Sequence, residues 1–168
     1  MTYCVAMRLA DGLVFASDSR TNAGFDQIST FRKMHVFEQP GERELVILSA
    51  GNLATSQSVI SLLEKRAGSE DPNVFSTASM FETAEVVGRT IREVIHRDNP
   101  EGKVNHVDFS CSLILGGQIR GEQVRLFNIY PEGNFIEATE ETPYFQIGES
   151  KYGKPILDRV VNYNSSLD

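Results

Sequence analysis

The chain has 168 residues, 40% of them hydrophobic and 23% charged, with a formal charge of −7. That length suits one domain with a real core, and the acidic balance argues against a nucleic-acid or anionic-membrane surface. No apolar run approaches the ~20 residues of a bilayer span, and the N-terminus has neither the basic segment nor the cleavage site of a signal peptide.

The first half predicts strands. Thr2 to Leu9 is a mostly apolar run, Asp11-Gly12 is a hairpin signal, and Leu13 to Ser17 is the returning strand. The polar stretch from Asp18 to Gly24 predicts a loop. Lys33 to Glu38 reads as a third strand, Gln39-Pro40-Gly41-Glu42 as a turn, and Leu45 to Leu48 as a fourth strand ending in Ser49-Ala50-Gly51.

Two helices are expected next. One runs from about Ala54 to Lys65, with Gly68 as its C-cap. The other runs from about Thr77 to Arg97, with Ser76 as its N-cap and Asn99-Pro100 as its stop. A second strand block follows: Phe109 to Leu115, a turn at Gly116-Gly117 and Gly121, Val124 to Tyr130, Phe135 to Thr139, and Tyr144 to Ile147. A short helix starts near Pro155 and presents Ile156, Leu157, Val160 and Val161 as its apolar face. Asn164 to Asp168 reads as the loop and cap of a further helix, so the sequence suggests a C-terminally truncated chain.

This order is α+β. Hairpin-linked strands that are apolar on both faces suggest two antiparallel sheets packed face to face, with helices outside. Residues 1–168 are expected to form a single domain that stops at the start of a further helix.

The chemistry begins at Thr2. Methionine is normally trimmed before a small residue, and loss of Met1 would leave Thr2 with a hydroxyl nucleophile and its own α-amine, of ordinary pKa ~8, as a base. While Met1 is present that amine is acylated. A plain strand start is the alternative for an isolated Met-Thr. Asp18 ends the second strand of the first hairpin, whose register allows it to lie beside Thr2; a loop aspartate in an Asx-type turn is the alternative. Lys33 would add positive potential there and favour a deprotonated nucleophile, the alternative being a solvent-facing strand lysine. Gly51 precedes a helix, where a backbone amide can approach a ligand closely and face a developing oxyanion, the alternative being a simple strand-to-helix turn.

Other chemistries lack a basis in the sequence. His35, His96 and His106 have no ligand spacing, and Cys4 and Cys111 form no CxxC pair, so no metal is expected. Nucleotide-binding and serine-hydrolase motifs are absent, and no cofactor is expected. Both cysteines read as buried free thiols of a reducing cytoplasm.

Taken in order, Thr2, Asp18-Ser19-Arg20-Thr21-Asn22-Ala23-Gly24, Lys33 and Ser49-Ala50-Gly51 resemble the proteasome β-subunit class of N-terminal nucleophile hydrolases. The Thr-to-Asp separation matches the family, and the Asp-to-Lys separation is one residue shorter. Ile28 to Met34 and Gly148-Glu149-Ser150-Lys151-Tyr152-Gly153 look closest to its bacterial branch called Anbu, the ancestral β-subunit type.

The resemblance implies a four-layer αββα sandwich, completed in the family by a last long helix and a final pair of strands that are missing here. It implies a threonine-type endopeptidase in which Thr2 is the nucleophile, Asp18 and Lys33 the supporting charge pair, and Gly51 the oxyanion donor. Ser150, with Glu149 as the alternative, would lie near the nucleophile's amine. Asn22 and Leu53 would hold the substrate backbone and shape the first specificity pocket. It further implies a peptide or unfolded protein as substrate, a homo-oligomeric ring or helix, and an unfoldase as a candidate partner. The rival expectation is a non-catalytic structural subunit of a proteasome-like assembly.

Overall fold

The computed structural model describes residues 2–22, 28–100 and 107–167, with the backbone alone at 20–22 and 28–30. Met1, Ala23, Gly24, His106 and Asp168, which figure in the sequence analysis, lie outside the described residues.

The strands are β1 (Tyr3–Leu9), β2 (Gly12–Ser17), β3 (Arg20–Asn22), β4 (Ile28–Thr30), β5 (Met34–Gln39), β6 (Arg43–Gly51), β7 (Cys111–Ile119), β8 (Arg125–Ile129), β9 (Phe135–Glu137) and β10 (Tyr144–Gly148). The helices are α1 (Leu53–Lys65), followed by a 3-10 turn over Arg66–Gly68, α2 (Met80–Asp98) and α3 (Gly153–Val160). The strands form one three-stranded sheet in the order β10-β1-β2, one five-stranded sheet in the order β5-β6-β7-β8-β9, and a β3-β4 ribbon. Pairings are antiparallel throughout both sheets.

Strand alternation sorts the apolar residues into two cores. Cys4 and Ala6 of β1, Phe145 and Ile147 of β10, and Leu48, Ile114 and Leu126 of the larger sheet fill the space between the sheets. The opposite face of the larger sheet, with Leu45, Ile47, Leu113, Leu115, Phe127 and Ile129, packs under α1 and α2. On β1, Tyr3 faces away from Cys4 and touches Gly153 at the start of α3. The layers therefore run helices, five-stranded sheet, three-stranded sheet, helix. This is the αββα sandwich expected from the sequence.

Several local expectations need correction. Gly116 and Gly117 lie inside β7, and the chain turns at Arg120-Gly121. Glycine is needed at these places because the sheets crowd them: a Cβ at Gly116 would stand 2.6 Å from the Phe15 ring, and one at Gly117 2.1 Å from the Glu44 carbonyl oxygen. The N-cap of α2 is Ser79, whose side chain accepts from the Glu82 N–H; Ser76 instead belongs to a turn built on Asn73. Helix α1 ends at Lys65, and Gly68 closes the 3-10 turn after it. Lys33 precedes β5 rather than opening it. The stretch read as a loop contains β3, which pairs with β4.

The apolar face expected of α3 is not buried among the described residues: Ile156 and Val160 are 61% and 62% exposed. After α3, Asn162 to Ser165 forms a turn. There the Tyr163 carbonyl accepts from Ala10 N–H, and the Tyr163 ring lies under the Arg8 guanidinium.

Candidate active site

The β1–β2 hairpin places the first two groups. Its register sets Cys4 opposite Ser17, so Asp18 comes level with Tyr3. Asp18 N–H donates to the Tyr3 carbonyl at 3.0 Å, and Tyr3 N–H donates to Asp18 Oδ1 at 2.8 Å. The carboxylate is thus held one peptide away from Thr2.

Lys33 reaches the same carboxylate from the other sheet. Its Nζ donates to Asp18 Oδ1 at 2.9 Å and to Oδ2 at 2.8 Å. The lysine side chain is 6% exposed and the aspartate 35%. A charge this deep needs a partner within hydrogen-bond reach, and Asp18 provides one. The Lys33 carbonyl accepts from Ser49 N–H at 2.9 Å, which ties the lysine to β6.

Strand β6 brings up the fourth group. Cys4 Sγ donates to the Ser49 carbonyl at 3.6 Å across the space between the sheets. Two residues from that contact in each direction lie Thr2, before Cys4, and Gly51, after Ser49. Gly51 ends β6 at φ +109°, where an added Cβ would stand 2.6 Å from the Ser110 carbonyl oxygen. Asn52 then caps α1: its side chain accepts from Thr55 N–H, and its amide donates to the Asp108 carbonyl. The Gly51 amide therefore sits just before a helix N-terminus, where the helix dipole favours negative charge.

The loop after β10 closes the site from the other side. Glu149 N–H donates to the Thr2 carbonyl at 2.7 Å. Thr2 opens on a cleft of about 440 Å³ lined by Tyr3, Asp18, Glu149, Tyr152, Gly153 and Ile156. Burial pushes the Cys4 thiol up to about 12; Asp18 adds to the shift and Lys33 opposes it. Cys4 is therefore held in its thiol form.

Residues 2–168 match the family model described as proteasome subunit. The chain belongs to the proteasome-subunit family. It is 65% identical to Anbu (ancestral beta-subunit) from Yersinia bercovieri, with a TM-score of 0.91 over 99% of this chain and 69% of that one. It is 55% identical to a chain of the helical assembly of the Anbu complex from Pseudomonas aeruginosa, with a TM-score of 0.93 over 99% and 68%. Anbu from Hyphomicrobium sp. strain MC1 is 51% identical, with a TM-score of 0.88 over 99% and 68%. Comparison with curated proteins finds no match.

In this proteasome-family chain, the groups singled out from the sequence fall into three sets. Thr2, Asp18 and Lys33 are brought together by direct bonds to Asp18 and to the peptide between Thr2 and Tyr3. Gly51 and Leu53 lie at the same end, on the strand end and first helical residue of the neighbouring sheet, and neither lines the cleft. Asn22 ends β3 opposite Ile28, and its side chain lies outside the description. Of the two loop residues weighed, Glu149 bonds the Thr2 backbone; Ser150 follows it and accepts from Lys154 N–H through its carbonyl.

Sequence reasoning missed Tyr3 and Asn52. Asn52 was findable, since an asparagine just before a helix is a cap signal. Tyr3 had no such signal: a tyrosine in an apolar strand reads as packing. Among the described residues no three His, Cys, Asp or Glu side chains cluster as a metal site would, and no helix is long and apolar enough to cross a membrane.

Proposed function

We propose that this chain is a proteasome-type threonine peptidase whose nucleophile is Thr2, exposed by removal of Met1, and which works in a self-assembled homo-oligomer. The observation that carries the reading is the buried Lys33 ammonium, bound through both oxygens of Asp18 one peptide from Thr2. A strand-end threonine with no chemistry to perform has no need of a desolvated charge pair held there.

In the proposed reaction, the free α-amine of Thr2 accepts the proton of its Oγ as that oxygen attacks a peptide carbonyl. The positive field of Lys33 favours the developing alkoxide. The tetrahedral oxyanion is held by the Gly51 N–H. Collapse passes the proton to the departing amine and leaves an ester on Oγ. Water, deprotonated by the same α-amine, then attacks that ester, and the acid is released as Oγ regains its proton. No cofactor enters these steps.

Assembly is proposed from likeness to the Pseudomonas relative, whose solved form is a helical assembly of the Anbu complex. A helical or ring homo-oligomer in the cytoplasm, with unfolded protein as substrate and an unfoldase as partner, follows from the same reading.

The test is direct. Intact mass should show loss of Met1, and a peptide epoxyketone should label Thr2, with labelling abolished by Thr2→Ala. A protein that keeps Met1 and stays unlabelled overturns the peptidase reading in favour of the structural subunit. That rival also requires Asp18→Ala and Lys33→Ala to leave assembly intact.

A further inference from the structure

The loop from Gly148 to Gly153 is seated on the first two residues of the mature chain at both of its ends. At one end, Gly148 has φ +89°, and a Cβ there would stand 2.1 Å from the Thr2 carbonyl oxygen, the same oxygen that accepts from Glu149 N–H at 2.7 Å. At the other, a Cβ on Gly153 would stand 2.1 Å from the Tyr3 hydroxyl and 2.5 and 2.6 Å from two ring carbons. The Tyr3 hydroxyl donates to Gln146 Oε1 at 3.1 Å, which fixes the ring against β10. Between its ends the loop is braced by Lys151 N–H to Glu149 Oε1 and by Lys154 N–H to the Ser150 carbonyl.

One consequence concerns the peptide plane that joins Thr2 to Tyr3. Its carbonyl is held by Glu149 N–H, and its N–H is held by Asp18 Oδ1. Both polar groups of that plane are bonded, from opposite sides, to the loop and to the charge pair. A peptide is rigid, so fixing this plane leaves Thr2 only its own ψ and χ1 with which to aim the amine and the hydroxyl.

We propose that Tyr3 is a positioning residue: its backbone N–H fixes Asp18, its ring seats the Gly148–Gly153 loop, and together they lock the peptide plane that orients Thr2. This rests on the reading of Thr2 as nucleophile. The ring acts through Gly153 and Glu149, not on substrate.

The experiment is a double-mutant cycle on the mature, Met1-free protein, read in two ways. The first readout is the rate of Thr2 labelling by the epoxyketone, with kcat and KM for a fluorogenic peptide. The second is hydrogen exchange at the Glu149 amide, which needs no turnover. Gly153→Ala pushes the loop off the ring and should slow labelling by ~10-fold or more, since a shift near 1 Å in a reacting group costs up to ~100-fold. The loss should fall on kcat rather than KM, and Glu149 exchange should speed up.

Tyr3→Ser should do the same. Adding Gly153→Ala to Tyr3→Ser should cost less than ~2-fold more, because the ring that the new methyl would strike is gone. Tyr3→Phe keeps the ring on Gly153 and should retain labelling within ~3-fold, as expected for one hydrogen bond of about 0.5 kcal/mol.

Additive losses in the two readouts overturn the proposal. So does a fall in melting temperature with unchanged labelling per folded protein. If the wild-type protein does not label at all, the peptidase reading fails; Glu149 exchange then still judges the seating of the loop, by the same non-additive pattern or its absence.

Discussion

Lys33→Met removes the ammonium from the Asp18 pair and keeps much of the side chain's volume. The contacts are 2.8 and 2.9 Å, and the lysine is 6% exposed. At 2.8 Å and an effective dielectric of ~20, two unit charges attract by ~6 kcal/mol, most of it offset by the cost of desolvating them. Removing one member of a fully buried pair costs about 3–5 kcal/mol. Asp18 is 35% exposed and keeps the Tyr3 N–H as a donor, so water and that amide recover part of the loss.

The expected destabilisation is therefore about 2–3 kcal/mol, or a fall in melting temperature of about 4–12 °C for a chain of this size. It is to be measured by thermal unfolding at one fixed protein concentration, because assembly would make the transition concentration-dependent. Because Lys33 is buried, the difference from wild type should change by less than ~0.5 kcal/mol between 0.05 and 0.5 M salt. Asp18→Asn in the Lys33→Met background should recover about half of the loss, since the carboxylate that has lost its ammonium is then gone while an acceptor for Tyr3 N–H remains. Epoxyketone labelling of Thr2 should fall ~100-fold or more. A melting shift below ~2 °C, or one that vanishes in salt, refutes the view of this pair as a desolvated unit.

Gly51→Ala should cost about 2–3 kcal/mol in urea unfolding and abolish labelling, because the new Cβ meets backbone at 2.6 Å in a conformation that disfavours side chains. Gly88→Ala, whose Cβ would stand 2.1 Å from the Gly133 carbonyl oxygen, should cost about 1–3 kcal/mol through the seat of α2 on the β8–β9 turn while leaving labelling per folded molecule unchanged. At high pH, burial holds the thiols of Cys4 and Cys111 up at about 12 and about 11, against an ordinary 9.0. The folded chain keeps protons there that the unfolded chain releases, so stability is full below about pH 9 and is lost as pH rises toward those values. Cys4→Ala with Cys111→Ala should flatten that loss by up to ~1.4 kcal/mol per pH unit per thiol in urea titrations. At low pH, burial lowers His35 from 6.5 despite Glu64, so its contribution is present above pH 6.5 and is lost as pH falls; His35→Gln should flatten that limb in the same titration.

The parts of this chain that were legible in its sequence are those in which local chemistry and tertiary demand agree. The Leu9 to Gly12 hairpin, the Gln39 to Glu42 turn and the helical spacing of Met80, Phe81, Ala84, Val87, Ile91, Val94 and Ile95 in α2 follow from turn residues and period alone, although Phe81 stays 46% exposed. What failed was set by tertiary packing rather than by local chemistry. Gly116-Gly117 looks like a turn because two glycines usually are one; here they make room for Phe15 and the Glu44 backbone. The β3–β4 ribbon was hidden because Arg20 to Asn22 carries no alternation of apolar and polar residues.

The same division explains the candidate site. Thr2 and Asp18 could be paired from sequence because a short hairpin fixes both; Lys33 comes from beside the other sheet and was joined to them only through the resemblance to proteasome β-subunits. The grip on Thr2 could not, since Glu149 and Gly153 lie more than 140 residues downstream and arrive only through the pairing of β10 with β1. That pairing puts Gly148 opposite Tyr3, so the loop that follows has to cross the Thr2–Tyr3 peptide. On the proposed reading, a nucleophile left at a chain terminus has no preceding residue to hold it, and the restraint falls on the following side, where both polar groups of the Thr2–Tyr3 peptide are bonded.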